Sequence, residues 1–266
     1  MTDDSLRKKI RRGEVVLGSF VKMTDPSSTE ILGMLGYDFI IVDNEHVAMN
    51  KESITNIIRA AENTGLNTII RPRDASKTEI LQFLDAGATG VQVPNVDNYE
   101  EARKVIDSVK YYPIGKRGYA PSHRAAGYSL MDKQTYLKNS NDNTITVVHC
   151  ESIECINNLD DILSIHDVDV VFIGPMDMSQ AFGVPGNAKD PNVQEAFRKI
   201  EEKVIGSGKA LGTVATNTGE ALALMNKGYR YIAISSDQGF IVNAGREAIE
   251  TLRNESQKVN QTKGEK

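Results

Sequence analysis

The chain has 266 residues, of which 40% are hydrophobic and 25% charged, and its 36 acidic side chains outnumber 31 basic ones. This composition is typical of a globular protein, and the length matches the roughly 250 residues of one (β/α)8 barrel. The net charge of −5 argues against a general nucleic-acid binder, since no basic excess is available to neutralise phosphates. No apolar run is long enough for a membrane span, and the polar amino terminus does not resemble a secretory signal. We therefore expect one cytoplasmic domain, residues 1–266, with a frayed tail at about 258–266 and no membrane or nucleic-acid partner.

Short β-branched runs alternate with longer amphipathic segments along the chain. Several runs, such as FIIV and VVFI, are apolar without alternation, which is typical of parallel strands buried on both faces. Eight strand–helix units without a break in composition favour a closed (β/α)8 TIM barrel over an open sheet. The longest insert, residues 111–143, lies between the fourth and fifth strands and has the composition of a functional or mobile loop. The predicted strands are residues 15–21, 38–43, 67–71, 90–93, 145–150, 169–173, 210–215 and 229–234.

Helix start and stop signals flank several of the amphipathic segments. Ser27, Ser76 and Asn98 each lie three residues before a glutamate, a spacing that predicts helix N-caps. Glycines such as Gly87 and Gly228 follow the segments and predict their ends.

Polar and charged side chains concentrate at the carboxyl ends of the predicted strands, where the active site of a β/α barrel lies. His46 follows the second strand, Arg71 ends the third and Glu151 follows the fifth. Asp177 follows the sixth strand after a Gly-Pro turn. We therefore expect an imidazole, a guanidinium and two carboxylates to meet at one mouth of the barrel.

Glu151 and Asp177 follow adjacent parallel strands at nearly the same position. Because such strands lie about 4.8 Å apart, the two carboxylates could share one cation. Oxygen ligands with water in the remaining positions suit Mg²⁺ or Mn²⁺. The spacing fits a structural interpretation equally well, in which Asp177 caps a helix and Glu151 pairs with an arginine.

His46 and Arg71 each allow two interpretations. A neutral imidazole is the commonest general base near pH 7, but a histidine beside acidic residues is also an ordinary surface side chain. The Arg71 guanidinium could bind a carboxylate or stabilise an oxyanion, or it could pair with Asp43 or Glu45. Lys22, at the end of the first strand, could form a Schiff base, although a solvated lysine is far commoner there.

The motifs VDNEHVAMN, IIRP, FLDAG, KRGYAPSHRAAGY, HCES and FIGPMDMS occur together, in the order found in the HpcH/HpaI group of metal-dependent pyruvate aldolases. The chain resembles this family over roughly residues 5–255. The resemblance implies a (β/α)8 barrel that assembles as a hexamer, with its last helix packed on a neighbouring subunit. It also implies a class II aldolase that uses Mg²⁺, Mn²⁺ or Co²⁺ to cleave a 4-hydroxy-2-oxo acid reversibly to pyruvate and an aldehyde.

The same resemblance assigns roles to individual residues. Glu151 and Asp177 match the two metal ligands, and His46 matches the catalytic base. Asp85, in FLDAG, matches the carboxylate that raises the basicity of that histidine. Arg71 matches the residue that stabilises the developing oxyanion and helps to hold pyruvate.

Two positions of the expected pyruvate site depart from the family pattern. His149 stands where the family usually has a glutamine that helps to hold the pyruvate oxygen. It could donate a ring N–H to the substrate instead, or become a third metal ligand. Met176, whose backbone with that of Asp177 matches the contact to the pyruvate carboxylate, is bulkier than the small residue common there. Both changes indicate an altered pocket, so the sequence predicts the reaction without naming the aldehyde.

Three other functions fit the same residues. The first keeps the metal–enolate chemistry but makes the enzyme a 2-oxo acid decarboxylase or a thioester lyase. The second is a Schiff-base aldolase that acts through Lys22. The third is a 2-oxo acid sensor without catalysis, which His149 would permit.

Overall fold

The strands form a closed parallel barrel in the order of the chain. The computed structural model describes the backbone of residues 5–264 and the side chains of residues 5–257. Each strand pairs in parallel with the next, and the eighth pairs with the first. The predicted (β/α)8 TIM barrel is confirmed. The strands are β1 (Val16–Val21), β2 (Phe39–Asp43), β3 (Asn67–Arg71), β4 (Gly90–Val93), β5 (Ile145–Cys150), β6 (Val170–Ile173), β7 (Ala210–Ala215) and β8 (Tyr231–Ser236).

Helices form the outer layer, and one 3₁₀ segment (Arg124–Ser129) lies in the long insert. No helix in the described part of the chain is both long and apolar enough to cross a membrane. The last helix includes most of the tail that we expected to fray, and residues 265–266 lie outside the described residues. The helices are α1 (Leu6–Arg11), α2 (Pro26–Met34), α3 (Lys51–Asn63), α4 (Lys77–Ala86), α5 (Tyr99–Val109), α6 (Lys133–Asn143), α7 (Ile153–Asn157), α8 (Leu159–Leu163), α9 (Pro175–Ala181), α10 (Pro191–Gly206), α11 (Thr218–Lys227) and α12 (Asp237–Gly264).

The first seven strands lie within one residue of their predicted bounds, whereas β8 begins and ends two residues later. Gly228 ends α11 in the left-handed region at φ 103°, as its position predicted. The next residue, Tyr229, turns back and donates its N–H to Leu224 O at 3.1 Å. The chain therefore enters the sheet only at Tyr231.

The predicted caps of α4 and α5 are confirmed, because Ser76 and Asn98 accept the backbone N–H three residues on. The predicted cap at Ser27 is wrong. Asp25 caps α2 instead and accepts the Ser27 N–H at 2.8 Å. Pro26 then occupies the first helical position, where its missing N–H costs no hydrogen bond.

Side chains of each strand alternate between the inside of the barrel and the layer beneath the helices. On β2, Phe39 and Ile41 belong to the inner cluster, whereas Ile40 and Val42 pack against the helical layer. All of this strand is buried, which explains why its sequence shows no polar alternation. The next inward position is Asp43, so the same period places a carboxylate at the mouth.

A buried polar network closes the amino-terminal end of the barrel. Arg7 on α1 donates from Nε to both carboxylate oxygens of Asp169, each at 2.9 Å. Lys110 is fully buried and donates to the carbonyl oxygens of Asn141 and Thr144 at 2.9 and 2.6 Å. Every donor named here has an acceptor, so this end of the barrel is sealed by satisfied hydrogen bonds.

Lys110 should make stability depend on pH. Burial, together with the positive charge of Arg7, lowers the pKa of Lys110 from 10.5 to about 7. Between these values the unfolded chain binds a proton that the folded protein does not, so the free energy of unfolding should rise as the pH increases from about 7 to about 10. Urea unfolding at several pH values should show this rise in the wild type and a smaller one in Lys110→Met. Parallel profiles for the two proteins would contradict the assignment.

Candidate active site

A buried ion-pair cluster lies at the carboxyl ends of β1, β2 and β3. Arg71 donates from Nε to Asp43 Oδ1 at 3.1 Å, and its Nη2 lies 2.8 Å from Oδ2. The Nη1 atom of Arg71 lies 3.1 Å from Glu45 Oε2. Lys22 Nζ lies 3.3 Å from Asp43 Oδ2. Both acidic partners considered for Arg71 are therefore present, and they hold the guanidinium in one orientation.

The two carboxylates of this cluster differ in their proton affinity. Burial alone would raise the pKa of Asp43, but the hydrogen bond and charge of Arg71, the His46 N–H and the charge of Lys22 bring it below its ordinary value. Burial raises the pKa of Glu45, and Arg71 and His46 offset only part of that effect. Asp43 is thus a fixed anion, whereas Glu45 takes up a proton more readily.

His46 lies at the rim of the barrel on a loop that Asp43 anchors. Asp43 Oδ1 accepts the N–H groups of Glu45 and His46 at 3.2 and 3.1 Å. The imidazole itself is 54% exposed, and its Nε2 lies 3.7 Å from Glu45 Oε2. A fixed backbone thus presents an accessible imidazole, which is the arrangement that proton transfer to a substrate needs.

Two carboxylates meet across the mouth from this cluster. Glu151 follows β5, and Asp177 lies in the first turn of α9. A Cβ at Gly174 would lie 2.7 Å from Glu151 Oε2 and 3.2 Å from Asp177 Oδ2, so both oxygens face one small space that only a glycine leaves open. Among the described side chains, no group of three or more His, Cys, Asp and Glu residues could hold a metal ion. Glu151 and Asp177 are the pair of carboxylates that faces this space.

Neither structural interpretation of this pair is present. Glu151 accepts from the Asn95 N–H at 2.9 Å and lies 2.7 Å from His149 Nδ1, so its partners are not arginines. Asp177 makes no capping hydrogen bond to α9 within the described part of the chain. Burial alone would raise the pKa of Glu151, but His149, the Asn95 N–H and the charge of Arg71 bring it below its ordinary value.

His149 is buried, and both of its ring nitrogens have protein partners. Nδ1 lies 2.7 Å from Glu151 Oε2, and Nε2 lies 2.8 Å from Gln92 Nε2. The Gln92 side chain in turn accepts from the Tyr231 hydroxyl at 3.2 Å. Neither Gln92 nor Tyr231 was predicted to belong to the site. Their signal in the sequence is the period of two, which places both at inward positions of β4 and β8.

A cavity of about 440 Å³ opens at the mouth of the barrel, and several of these groups line it. Phe20 and Phe172 supply apolar walls, while Lys22, Ser235 and Asn243 add polar ones. This size suits a small organic molecule. The predicted site residues that line the cavity are His46, Arg71, His149, Met176 and Asp177.

Asp85 belongs to a different cluster, on α4. Its Oδ1 accepts from Arg117 Nη2 at 2.7 Å and lies 3.5 Å from His123 Nε2. Arg117 also lies over the Tyr111 ring, 4.6 Å from its centroid. Asp85 therefore anchors the long insert in the described structure, and the role predicted for it beside His46 stays a prediction.

Removing the Asp43 carboxylate should destabilise the protein strongly. In Asp43→Ala the buried Arg71 would lose its main partner, which should lower the free energy of unfolding by about 3 kcal/mol. Urea unfolding measures the loss. The matched control Asp160→Ala removes a carboxylate that is 74% exposed and pairs with Lys203, and it should change stability little. Equal effects of the two substitutions would contradict the central role of Asp43.

Comparisons with known proteins place the chain in a family. The sequence profile of the family described as HpcH/HpaI aldolase/citrate lyase matches residues 17–244. The 2-keto-3-deoxy-L-rhamnonate aldolase of Escherichia coli (strain K12) is 32% identical over 238 residues, which cover 89% of this chain and 88% of that protein.

Two solved structures are similar over almost their whole length. The HpcH/HpaI aldolase from Desulfitobacterium hafniense DCB-2 has 25% identity and a TM-score of 0.88, with 94% of this chain and 96% of that chain covered. The citrate synthase SbnG has 27% identity and a TM-score of 0.86, with 95% and 99% covered. The chain therefore belongs to the HpcH/HpaI aldolase/citrate lyase family, as its motifs predicted.

Proposed function

We propose that this protein is a class II, divalent-metal-dependent aldolase of the cytoplasm that reversibly cleaves a 4-hydroxy-2-oxo acid to pyruvate and an aldehyde. The observation that carries this proposal is the pair of carboxylates, Glu151 and Asp177, facing one space beside Gly174 at the cavity. The Escherichia coli relative described above is an aldolase acting on a 2-keto acid. Its activity favours aldol cleavage over decarboxylation or thioester cleavage.

Glu151 and Asp177 would hold the cation. The negative charges of Asp43 and Glu45 are balanced by Arg71 and Lys22. In contrast, no lysine or arginine in the described structure pairs with Glu151 or Asp177. Two unbalanced carboxylates with space between them fit Mg²⁺, Mn²⁺ or Co²⁺. When bound, such an ion supplies Lewis-acid polarisation of the 2-oxo group.

The side chains of this protein would perform the proton transfers and stabilise charge. In the cleavage direction His46 takes the proton of the C4 hydroxyl, and the C3–C4 bond breaks. The C4 carbon leaves as an aldehyde, and the electron pair of the broken bond forms the enolate of pyruvate. Arg71, held rigidly by Asp43, places positive charge near the enolate oxygen. A proton from solvent then adds at C3 to give pyruvate, and His46 releases its proton to solvent. The pyruvate carboxylate would contact the backbone around Met176 and Asp177.

A Schiff-base mechanism through Lys22 finds no support in the geometry. Its Nζ is in an ion pair with Asp43 and lies 5.9 Å from the Phe20 ring centroid, so these two groups hold the Lys22 side chain. A Schiff-base lysine instead needs an amine that is free to attack the carbonyl of the substrate. Borohydride treatment in the presence of pyruvate should therefore give no covalent adduct.

Activity should depend on a divalent metal held by the two carboxylates. EDTA should abolish pyruvate release from 4-hydroxy-2-oxo acids, and Mg²⁺, Mn²⁺ or Co²⁺ should restore it. Glu151→Gln and Asp177→Asn should each weaken Mn²⁺ binding by about tenfold or more, since each removes a charged ligand. A coupled assay for pyruvate and a Mn²⁺ titration measure both effects. Full activity in EDTA would contradict the proposal, and oxaloacetate turnover without aldehyde-dependent condensation would favour the decarboxylase.

The space beside Gly174 gives a steric test of the same site. Gly174→Ala should weaken Mn²⁺ binding and activity by about tenfold, because the new Cβ would displace the Glu151 carboxylate. Gly206→Ala is the matched control, since a Cβ there meets no atom within 4 Å. The control should behave like the wild type. Wild-type metal affinity in Gly174→Ala would place the cation elsewhere.

We also propose the hexamer that the family resemblance implies, with α12 packed on a second copy of this chain. Asp237 ties the first turn of α12 to the barrel by accepting the N–H groups of Lys22 and Met23 at 2.9 and 3.0 Å. Beyond Phe240, every described side chain of α12 is exposed, including Ile249 and Leu252. Apolar side chains exposed along a helix that otherwise carries polar residues are typical of an interface.

The assembly should therefore depend on the apolar side of α12. Light scattering after gel filtration should give a hexamer for the wild type and smaller species for the double variant Ile249→Glu and Leu252→Glu. Replacing Glu250 with Gln on the same helix is the control and should leave the hexamer intact. A monomeric wild type would refute the proposed assembly.

A further inference from the structure

A row of buried polar side chains crosses the inside of the barrel and ends at Glu151. Tyr231, Gln92 and His149 occupy inward positions on β8, β4 and β5, and each is at most 1% exposed. The Tyr231 hydroxyl lies 3.2 Å from Gln92 Oε1, and Gln92 Nε2 lies 2.8 Å from His149 Nε2. His149 Nδ1 then lies 2.7 Å from Glu151 Oε2. The row is therefore a continuous chain of hydrogen bonds.

The tyrosine end of the row fixes the orientation of the amide. Burial raises the pKa of Tyr231 well above its ordinary value, so the hydroxyl keeps its proton and donates it to Gln92 Oε1. With its oxygen turned toward Tyr231, the amide presents its NH2 group to His149 Nε2. Because an N–H cannot bond to another N–H, Nε2 must be the nitrogen with the free lone pair.

The carboxylate end of the row demands the same form of the imidazole. An ionised carboxylate only accepts hydrogen bonds, so His149 Nδ1 must carry the proton that bonds to Glu151. One neutral tautomer, protonated on Nδ1, therefore satisfies every group in the row. The reversed Gln92 amide would aim its NH2 group at Tyr231 and leave the hydroxyl proton without an acceptor in the row.

Aromatic packing prevents the rings of the row from turning. The His149 ring stacks on Phe172 with centroids 5.0 Å apart, and the Tyr231 ring stacks on Phe39 at 4.1 Å. Phe172 also meets the Tyr231 ring edge-on at 6.2 Å. With both ring planes held, the row can change only if the amide reverses or the imidazole changes its tautomer.

We propose that Tyr231 and Gln92 are positioning residues for the metal site, because together they hold His149 as the Nδ1–H tautomer. His149 in turn holds Glu151 Oε2, while the Asn95 N–H holds Oε1 at 2.9 Å, so the carboxylate is fixed at both atoms. Its remaining lone pairs are left for the cation. This inference rests on the proposed metal-dependent function, and it gives His149 an orienting role in place of the two roles considered from the sequence.

The tautomer can be observed without any metal. The protein has four histidines, and ¹⁵N-histidine labelling with a His149→Gln variant identifies the resonances of His149. Long-range ¹H–¹⁵N spectra of the wild type should show Nδ1 protonated and Nε2 unprotonated. Tyr231→Phe should populate a form that is protonated on Nε2, because the Gln92 amide can then reverse and accept from that nitrogen. Protonation of Nε2 in the wild type, or no change in Tyr231→Phe, would overturn the proposal.

Metal affinity supplies the second readout. Tyr231→Phe and Gln92→Leu should each weaken Mn²⁺ binding by about tenfold, the usual effect of losing a group that orients a ligand. Tyr231→Phe removes one oxygen and keeps the ring that stacks on Phe39, so it should fold normally. Thr146→Val is the matched control, since it removes a buried β5 hydroxyl that has no hydrogen-bond partner within the described part of the chain. An equal loss of affinity in this control would overturn the proposal.

Failure of the positioning role is distinguishable from failure of the proposed function. If the wild type binds no Mn²⁺ and is active in EDTA, the metal-dependent function fails, and the positioning role fails with it. If the wild type binds Mn²⁺ and both variants bind it equally well, only the positioning role fails.

Discussion

The inside of an eight-stranded barrel has no room for the water that polar side chains need, so each inward-pointing polar group must find a partner on another strand or in the loops at the strand ends. Asp43 finds Arg71 on the neighbouring strand and Lys22 after β1. His149 finds Gln92 on β4 and the Glu151 carboxylate just beyond its own strand. The arrangement of the site follows from this requirement, because a polar group without a protein partner is available to bind a ligand.

The mouth of the barrel is divided by charge in this way. On the side of β1 to β3, two cations and two carboxylates balance each other and form a rigid wall. On the side of β5 and β6, Glu151 and Asp177 have no lysine or arginine partner in the described structure. The cavity therefore lies between a side with balanced charges and a side with an excess of negative charge. The average charge of the chain does not reveal this division.

At the opposite end of the barrel, every polar group named above has a hydrogen-bond partner. Arg7 saturates Asp169, and Lys110 donates to two backbone carbonyls, so no polar group named there is left for a ligand. One end is thus closed by paired charges, whereas at the other end Glu151 and Asp177 have no lysine or arginine partner among the described residues. This contrast agrees with a site at the carboxyl ends of the strands.

The sequence by itself determined the features that depend on neighbouring residues. Buried strands, the cap at Asn98 and the stop at Gly228 follow from short-range patterns, and the charged ends of parallel strands must share one mouth. The sequence did not predict that Asp25, rather than Ser27, caps α2, because both side chains can accept a backbone N–H. Pro26 favours the cap at Asp25, since it occupies the first helical position directly after that residue.

Only the tertiary structure decided which partner each polar group takes. Gln92 lies 57 residues from His149 and 139 residues from Tyr231 along the chain. The sequence around these residues contains no pattern that predicts their contacts. In the same way, Asp85 contacts Arg117, which lies 32 residues away along the chain. These pairings depend on the register in which strands and loops distant in sequence come together when the barrel closes. Local sequence patterns do not specify that register.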